Sequence, residues 1–433
     1  MLIRFSVENF RSFKDRQSLY LNAVKTCKEW NDENTAEESG VRVVRSAVVY
    51  GANASGKTNL FIAMERMRAF MLASIDIDKI HNSLLCEPFL LTSKTLLSPE
   101  TFEIEFTLGE QHYIYGFSIL TDATSMVKYR VVKEWLAEVR NKRTVSLFMR
   151  EKNTKANAEE DVISVDAKYM PQGCGLESRT RNDALFLTVA AQFAEPCCQR
   201  ISEYLRYSLV IFSGINHGTA SNFSRNTFAI DAYMSEQIKK LICAADVGIK
   251  NIMIGVNGQI VSQHTPYDAN GNPMDGMINF SFDLMESLGT QKLFDLSGVV
   301  IDALRNGRIM VVDELDAKLH PIIVRHLIEL FNNSKTNPKN AQLIFNAQSP
   351  DLLGYKVYSE TKGKKIARLR RDQIYFVEKD NQEASKVFSL IEFKKDSGLR
   401  TRNDASYDKD YLSGVYGGIP FPKEMVSEVS NNG

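Results

Sequence analysis

Apolar and polar positions alternate from the first residues of the chain. Ile3, Phe5 and Val7 share one side, a polar break follows at 14–17, and Leu19, Leu21 and Ala23 resume the alternation. A period of two predicts a hairpin of two half-buried strands. SAVVY (46–50) is instead a continuous apolar run that stops at Gly51, and LFIAMERMRAFML after it is compatible with a helix. Over residues 101–165 the runs FEIEF, HYIYGFSIL, YRVVKEWL, TVSLFMR and DVISV recur between Gly, Asp and Lys/Asn breaks, which predicts an antiparallel lobe. Residues 182–249 turn helical, most clearly in DAYMSEQIKKLICAA, and 250–283 read as a further hairpin with DANGNP as its turn.

From Glu286 the pattern becomes helix, strand, helix, strand. IMVV (309–312) is a continuous apolar run suited to a sheet covered on both faces. Beyond His320, Ile323, Leu327, Leu330 and Phe331 form one helical stripe, and LIF (343–345) supplies a third buried strand. Apolar strands that end in polar residues and are linked by helices predict an α/β sheet, with its ligand site at the strand C-terminal ends.

Composition narrows the class. The 433 residues are 44% hydrophobic and 24% charged, enough for roughly two or three core-forming lobes. Lys plus Arg (53) equals Asp plus Glu (53), which argues against a stand-alone nucleic-acid coat but leaves room for a local basic groove. No run approaches the ~20 apolar residues of a membrane helix, and the N-terminus, charged from Arg4, does not read as a signal peptide. A cytoplasmic protein is expected. Cys27, Cys86, Cys174, Cys197, Cys198 and Cys243 form no CxxC pair and no Cys/His set with zinc spacing.

Three motifs carry chemistry. GANASGKTN (51–59) fits GxxxxGK[ST] between a buried strand and a helix. Its glycines let backbone N–H groups surround phosphates, the helix N-terminus adds positive dipole, Lys57 adds a point charge, and the Thr58 hydroxyl can ligate Mg²⁺. Gly51, Asn53, Ala54, Ser55, Gly56, Lys57, Thr58 and Asn59 are therefore the expected nucleotide cradle. IMVVDELD (309–316) ends a strand in Asp313, placed for the metal shell, and Glu314, placed to polarise an attacking water. ESLGTQK (286–292) opens a helix, where Ser287 and Gly289 can present a hydroxyl and bare N–H groups to a second anion.

The order of these motifs resembles the ABC-type ATPases of the SMC/RecF branch. It is more similar still to the stand-alone bacterial AAA-15/AAA-21 ATPases, which include ATPase subunits of abortive-infection and restriction-linked phage-defence systems of the RloA/AbiL type. ENFRSF (8–13), DELDAKLHP (313–321), RRDQIYFVEKD (370–380) and YLSGVYGGIP (411–420) also carry the likeness.

The resemblance implies an α/β P-loop NTPase of ABC/SMC-head type with an antiparallel β lobe and a helical insertion. It divides the chain at 1–100 (N-terminal half of the ATPase core), 101–180 (β lobe), 181–285 (helical insertion and hairpin), 286–380 (C-terminal half of the core) and 381–433 (tail). It implies a head-to-tail homodimer or larger homo-oligomer that binds ATP and Mg²⁺, with Ser287 and Gly289 capping the partner's nucleotide. Glu314 would be the catalytic carboxylate and Asp316 a residue communicating between sites. Arg11 would lie near the nucleotide, and Gln192 would sense metal and water. Where these ATPases carry a switch histidine, FNAQSP places Gln348, which can hydrogen-bond a phosphate oxygen but carries no charge, so slow turnover is expected.

The basic run KGKKIARLRR (362–371) reads as a solvated strand and turn, or as a patch for nucleic acid or an acidic partner. His320 and His326 have the wrong spacing to share a metal. No nuclease constellation follows the core. The expected function is an anti-phage ATPase that senses an invader and controls a separately encoded effector, a nuclease. A RecF-like DNA-repair clamp and a non-hydrolysing ATP scaffold are the alternatives.

Overall fold

The computed structural model describes residues 1–76, 86–122, 129–152, 161–213, 217–246, 248–361, 363–394, 401–402 and 405–419. Lys362 of the basic run, Pro420 of the tail motif and everything after it lie outside these residues.

Two sheets organise the chain. The first is antiparallel and seven-stranded, in the order Asp161–Val165, Arg143–Lys152, Tyr129–Arg140, Gln111–Thr121, Glu100–Leu108, Leu2–Glu8, Gln17–Tyr20. The expected N-terminal hairpin forms with Phe5 opposite Leu19, and its first strand also pairs with Glu100–Leu108, Phe5 opposite Ile104. Residues 1–20 thus belong to the same sheet as the β lobe, across the division expected at 100/101.

The second sheet has the order Leu209–Phe212, Ile309–Val312, Gln342–Asn346, Ser46–Tyr50, Ile374–Lys379, Ser385–Ser389. Its first five strands are parallel and Ser385–Ser389 is an antiparallel edge. Both faces are covered, which is why its strands read as unbroken apolar runs. Ala47, Val49, Val311 and Ile344 face one core with the Lys57–Ala73 helix and the β lobe; Val48, Tyr50, Met310 and Phe345 face another. That second core holds residues of the helices Ala232–Ala245, Leu288–Asn306, Pro321–Asn332 and Tyr407–Leu412. The fold is an α/β P-loop fold with an antiparallel lobe and a helical insertion.

Two expectations change. Residues 182–249 are helical in Phe186–Gln192, Pro196–Ser208, His217–Ile230 and Ala232–Ala245, but Leu209–Phe212 between them is a strand of the central sheet. Four apolar residues directly after a helix carry no periodicity that separates strand from helix. The hairpin around DANGNP is a three-stranded meander, Asn251–Ile254, Ile260–His264 and Ile278–Ser281. Among the described residues, no helix is long and apolar enough to cross a membrane.

Candidate nucleotide site

Ser46–Tyr50 delivers the chain to Gly51 in the middle of the parallel sheet, and the Lys57–Ala73 helix starts directly after the loop. The loop closes through left-handed backbone at Ala54 (φ 63°) and Gly56 (φ 113°). A Cβ at Gly56 would stand 2.2 Å from Ser385 Oγ and 2.8 Å from Ser12 Oγ, so glycine is required there. Ser385 donates to Ser55 O (2.6 Å) and through its N–H to Ser12 O (2.7 Å), which ties the edge hairpin to the loop. Lys57 Nζ donates to Gly51 O (2.5 Å) and Ala52 O (2.9 Å). Burial pushes its ammonium down from the ordinary lysine range, while Asp313, Glu314 and Asp316 pull it up.

The strand Ile309–Val312 brings in the carboxylates. Buried Asp313 accepts from Thr58 Oγ1 (3.1 Å) and from Asn346 Nδ2. Glu314 is held in the left-handed region (φ 51°), a conformation a non-glycine residue keeps only when its surroundings enforce it. Each of its polar groups is anchored. Its N–H donates to Asn346 Oδ1 (2.5 Å), its carbonyl accepts from Lys292 Nζ (2.6 Å), and its carboxylate accepts from Gln348 Nε2 (3.0 Å). A cleft of about 470 Å³ results, lined by residues 52–59 with Ser12, Glu314, Asn346, Gln348 and Lys379.

Other expected residues sit around this cleft. Arg11 reaches Asn59 Oδ1 through Nη1 (3.5 Å), but its Nε and Nη2 are held by Glu87 (2.7 and 3.1 Å). Asp316 does not line the cleft. Its Oδ2 accepts from the N–H groups of Gln348 (2.8 Å) and Ser349 (2.7 Å), so it positions the Gln348 segment. Ser287 caps the Leu288–Asn306 helix, accepting from Thr290 N (3.1 Å), and is exposed. A Cβ on Gly289 would lie 2.7 Å from Lys318 O, so the helix start packs on the loop after Asp316 rather than into the chain's own cleft.

Gln192 requires correction. It is exposed at the end of Phe186–Gln192, a helix that meets the far end of Lys57–Ala73 through Thr188 Oγ1 to Met71 O (2.8 Å) and Leu185 N to Ser74 Oγ (3.2 Å). At 1.5 Å rise per residue that end lies about 20 Å along the helix from Lys57. The residue beside the Asp313 strand is instead buried Ser213. It directly follows Phe212, whose carbonyl accepts from Asp313 N (2.9 Å), and its hydroxyl donates to Glu65. Ser12, Lys292, Asn346, Lys379 and Ser385 escaped the sequence reading. Asn346 left a trace, as the polar residue ending an apolar strand; Ser385 is brought in purely by tertiary pairing.

The basic run folds inward. Arg368 pairs with Glu329 (2.6 Å) and Glu33 (2.9 Å), Arg370 with Asp372 (2.6 Å) and Arg371 with Glu29 (3.2 Å), which leaves Lys364 and Lys365 on the surface. His320 accepts from Ile322 N (3.3 Å) as a helix cap.

Residues 46–159 and 264–354 match the model of a family described as "AAA domain, putative AbiEii toxin, Type IV TA system". The chain is similar to a family of AAA domains. The matched segments include the loop 51–59, the Ser287 helix start, the Asp313–Glu314 strand end and Gln348. No curated protein matches. Among solved structures, the SMC head domain from Thermotoga maritima is similar at 13% identity and a TM-score of 0.40, over 90% of this chain and 98% of that one.

Among the described residues no cluster of three His, Cys, Asp or Glu side chains could hold a metal alone. Thr58 Oγ1 and Asp313, two hard oxygen donors 3.1 Å apart beside the glycine-rich loop, fit Mg²⁺, which elsewhere takes its remaining ligands from phosphate and water.

Proposed function

We propose that this chain is an ATP-hydrolysing switch of ABC/SMC-head type. The observation that carries the reading is the convergence, in one cleft, of Lys57 and Thr58 with Asp313 and of Glu314 with Gln348. The N–H groups of 53–59 and Lys57 would hold the β- and γ-phosphates. Thr58 and Asp313 would hold Mg²⁺, which when bound neutralises phosphate charge. Glu314 would orient the attacking water in line with the γ-phosphate and accept its proton. Gln348, donating to the Glu314 carboxylate, would aim it and contact the phosphate without moving a proton.

Ser287 is exposed at its helix start, with half-buried Gly289 two residues on, which suits a head-to-tail homodimer in which each subunit caps its partner's ATP. Lys292, on the same helix, grips the Glu314 carbonyl, so capping one site would bear on the catalytic carboxylate of the other.

Function in a bacterial anti-phage system of the RloA/AbiL kind, controlling a separately encoded effector nuclease from the cytoplasm, is the biological setting we favour. The toxin–antitoxin description of the matching family supports it. A RecF-like DNA clamp is less favoured, because the arginines of the basic run are spent on internal carboxylates.

ATP turnover of wild type beside Glu314→Gln, with dimerisation followed by light scattering, tests the reading. Turnover should fall on the order of 10²-fold or more in the variant while ATP-bound dimers accumulate. Retention of ATP without turnover in either protein would instead favour the non-hydrolysing scaffold.

A further inference from the structure

On the face of the parallel sheet opposite the P-loop helix lies an open groove of about 930 Å³, walled by helices Ala232–Ala245, Leu288–Asn306 and Pro321–Asn332 and by the loop 333–339. Leu241, Ile301, Leu304, Ile323 and Leu330 form its floor, each partly buried and packed on the core beneath. Tyr233 and Ile322 stand on its edges, each 53% exposed. A continuous apolar channel of this kind, rimmed by polar residues, marks a docking surface rather than scattered surface leucines.

The rim is of one sign. Lys240, Arg305, Lys335 and Lys339 border the groove. The carboxylate among its lining residues, Glu329, is gripped by both arms of Arg368 (2.7 and 2.6 Å). Arg305 keeps a 3.5 Å contact with Asp231, and Lys240 a 3.6 Å contact with Glu236. Among the described residues neither Lys335 nor Lys339 has an acidic partner.

We propose that this groove docks an acidic amphipathic helix of a separate protein. A helix satisfies its own backbone and needs only an apolar stripe for the floor, whereas an extended strand would find no sheet edge in these helical walls. Acidic flanks would meet the lysines and arginine. A second copy of this chain docked through the same face would set the same basic rim against itself, which disfavours it. Two of the walls begin at Ser287 and shortly after Asp316, so the occupant would rest on elements that adjoin the nucleotide site. The proposal does not depend on ATP hydrolysis.

The test uses the full chain and two fluorescein-labelled designed helical peptides that share one leucine stripe, flanked by glutamates in one and lysines in the other. The acidic peptide should bind and the basic one should not. Lys335→Glu with Lys339→Glu should weaken binding about tenfold, and the loss should shrink at high salt. Leu304→Asp should weaken it similarly; if that variant fails to fold, the two surface lysines still decide the matter. Failure of the acidic peptide to bind overturns the proposal, and so does equal binding of both peptides. A homodimer in sedimentation that the lysine reversals strengthen would assign the groove to a second copy.

Discussion

Glu314 is the residue on which the proposed chemistry turns, and its surroundings hold it in place. Its backbone strain is sustained by Asn346 on one side and Lys292 on the other, so the carboxylate is pre-positioned. Gln348 supplies the remaining restraint. Gln348→Ala removes the donor to the carboxylate without touching Lys57 or Thr58, so kcat should fall about tenfold with KM nearly unchanged. Steady-state kinetics check this. A KM that rises with kcat constant would make its contact with the phosphate, rather than its hold on Glu314, the main role of Gln348. Gln348 was legible in the sequence because it stands in a recognisable motif. Asn346 and Lys292 act through contacts spanning 32 and 22 residues, which no local pattern records.

At the scale of elements, the Leu288–Asn306 helix links the outward-facing Ser287 to the core. Against the His217–Ile230 helix it comes very close at Gly298, whose N–H donates to Ser224 Oγ (3.1 Å). A Cβ there would stand 2.6 Å from that oxygen and 2.8 Å from Ser224 Cα, so main chain, not only a side chain, would have to move. Gly298→Val should therefore destabilise the protein by about 1–3 kcal/mol, read as a lower urea midpoint with an unchanged m-value. An unaltered midpoint would show that the two helices have slack.

The periodicity of each of these helices was readable, but which positions touch was not. The same distinction explains Gln192. Its segment was correctly read as helical, yet docking on the far end of Lys57–Ala73 carries it away from Lys57 and Thr58.

Over the whole molecule, stability is tied to pH through buried carboxyls, of which Glu100 at the start of its strand is one. Burial, aided by the Glu87 carboxylate and only partly offset by the Glu87 amide and Arg66, pushes its carboxyl up to about 8 from an ordinary 4.5. Between those values the unfolded chain has released the proton that the folded protein retains. Stability then falls as pH rises, by about 1.4 kcal/mol per unit at most, and levels off above about 8. Glu100→Gln lacks this proton release. Its advantage over wild type should be absent near pH 4.5 and grow until about pH 8, as urea midpoints at pH 5, 6.5 and 8 would show. A constant difference across that range would mean that the folded protein ionises Glu100 normally.

The chain by itself determined the strands with unbroken or alternating apolar runs, the glycine-rich loop that ends in Lys57 and Thr58, the adjacent carboxylates Asp313 and Glu314, and the capped helix start at Ser287. These depend on backbone periodicity, glycine geometry and side-chain chemistry over a few neighbouring residues. Tertiary structure decided that Leu209–Phe212 flanks the Asp313 strand and that Ser385 closes on Gly56. It also turned the arginines of 368–371 inward. Strand order, helix docking and burial of charge depend on which distant surfaces exclude water together, and that is settled only when the whole chain packs.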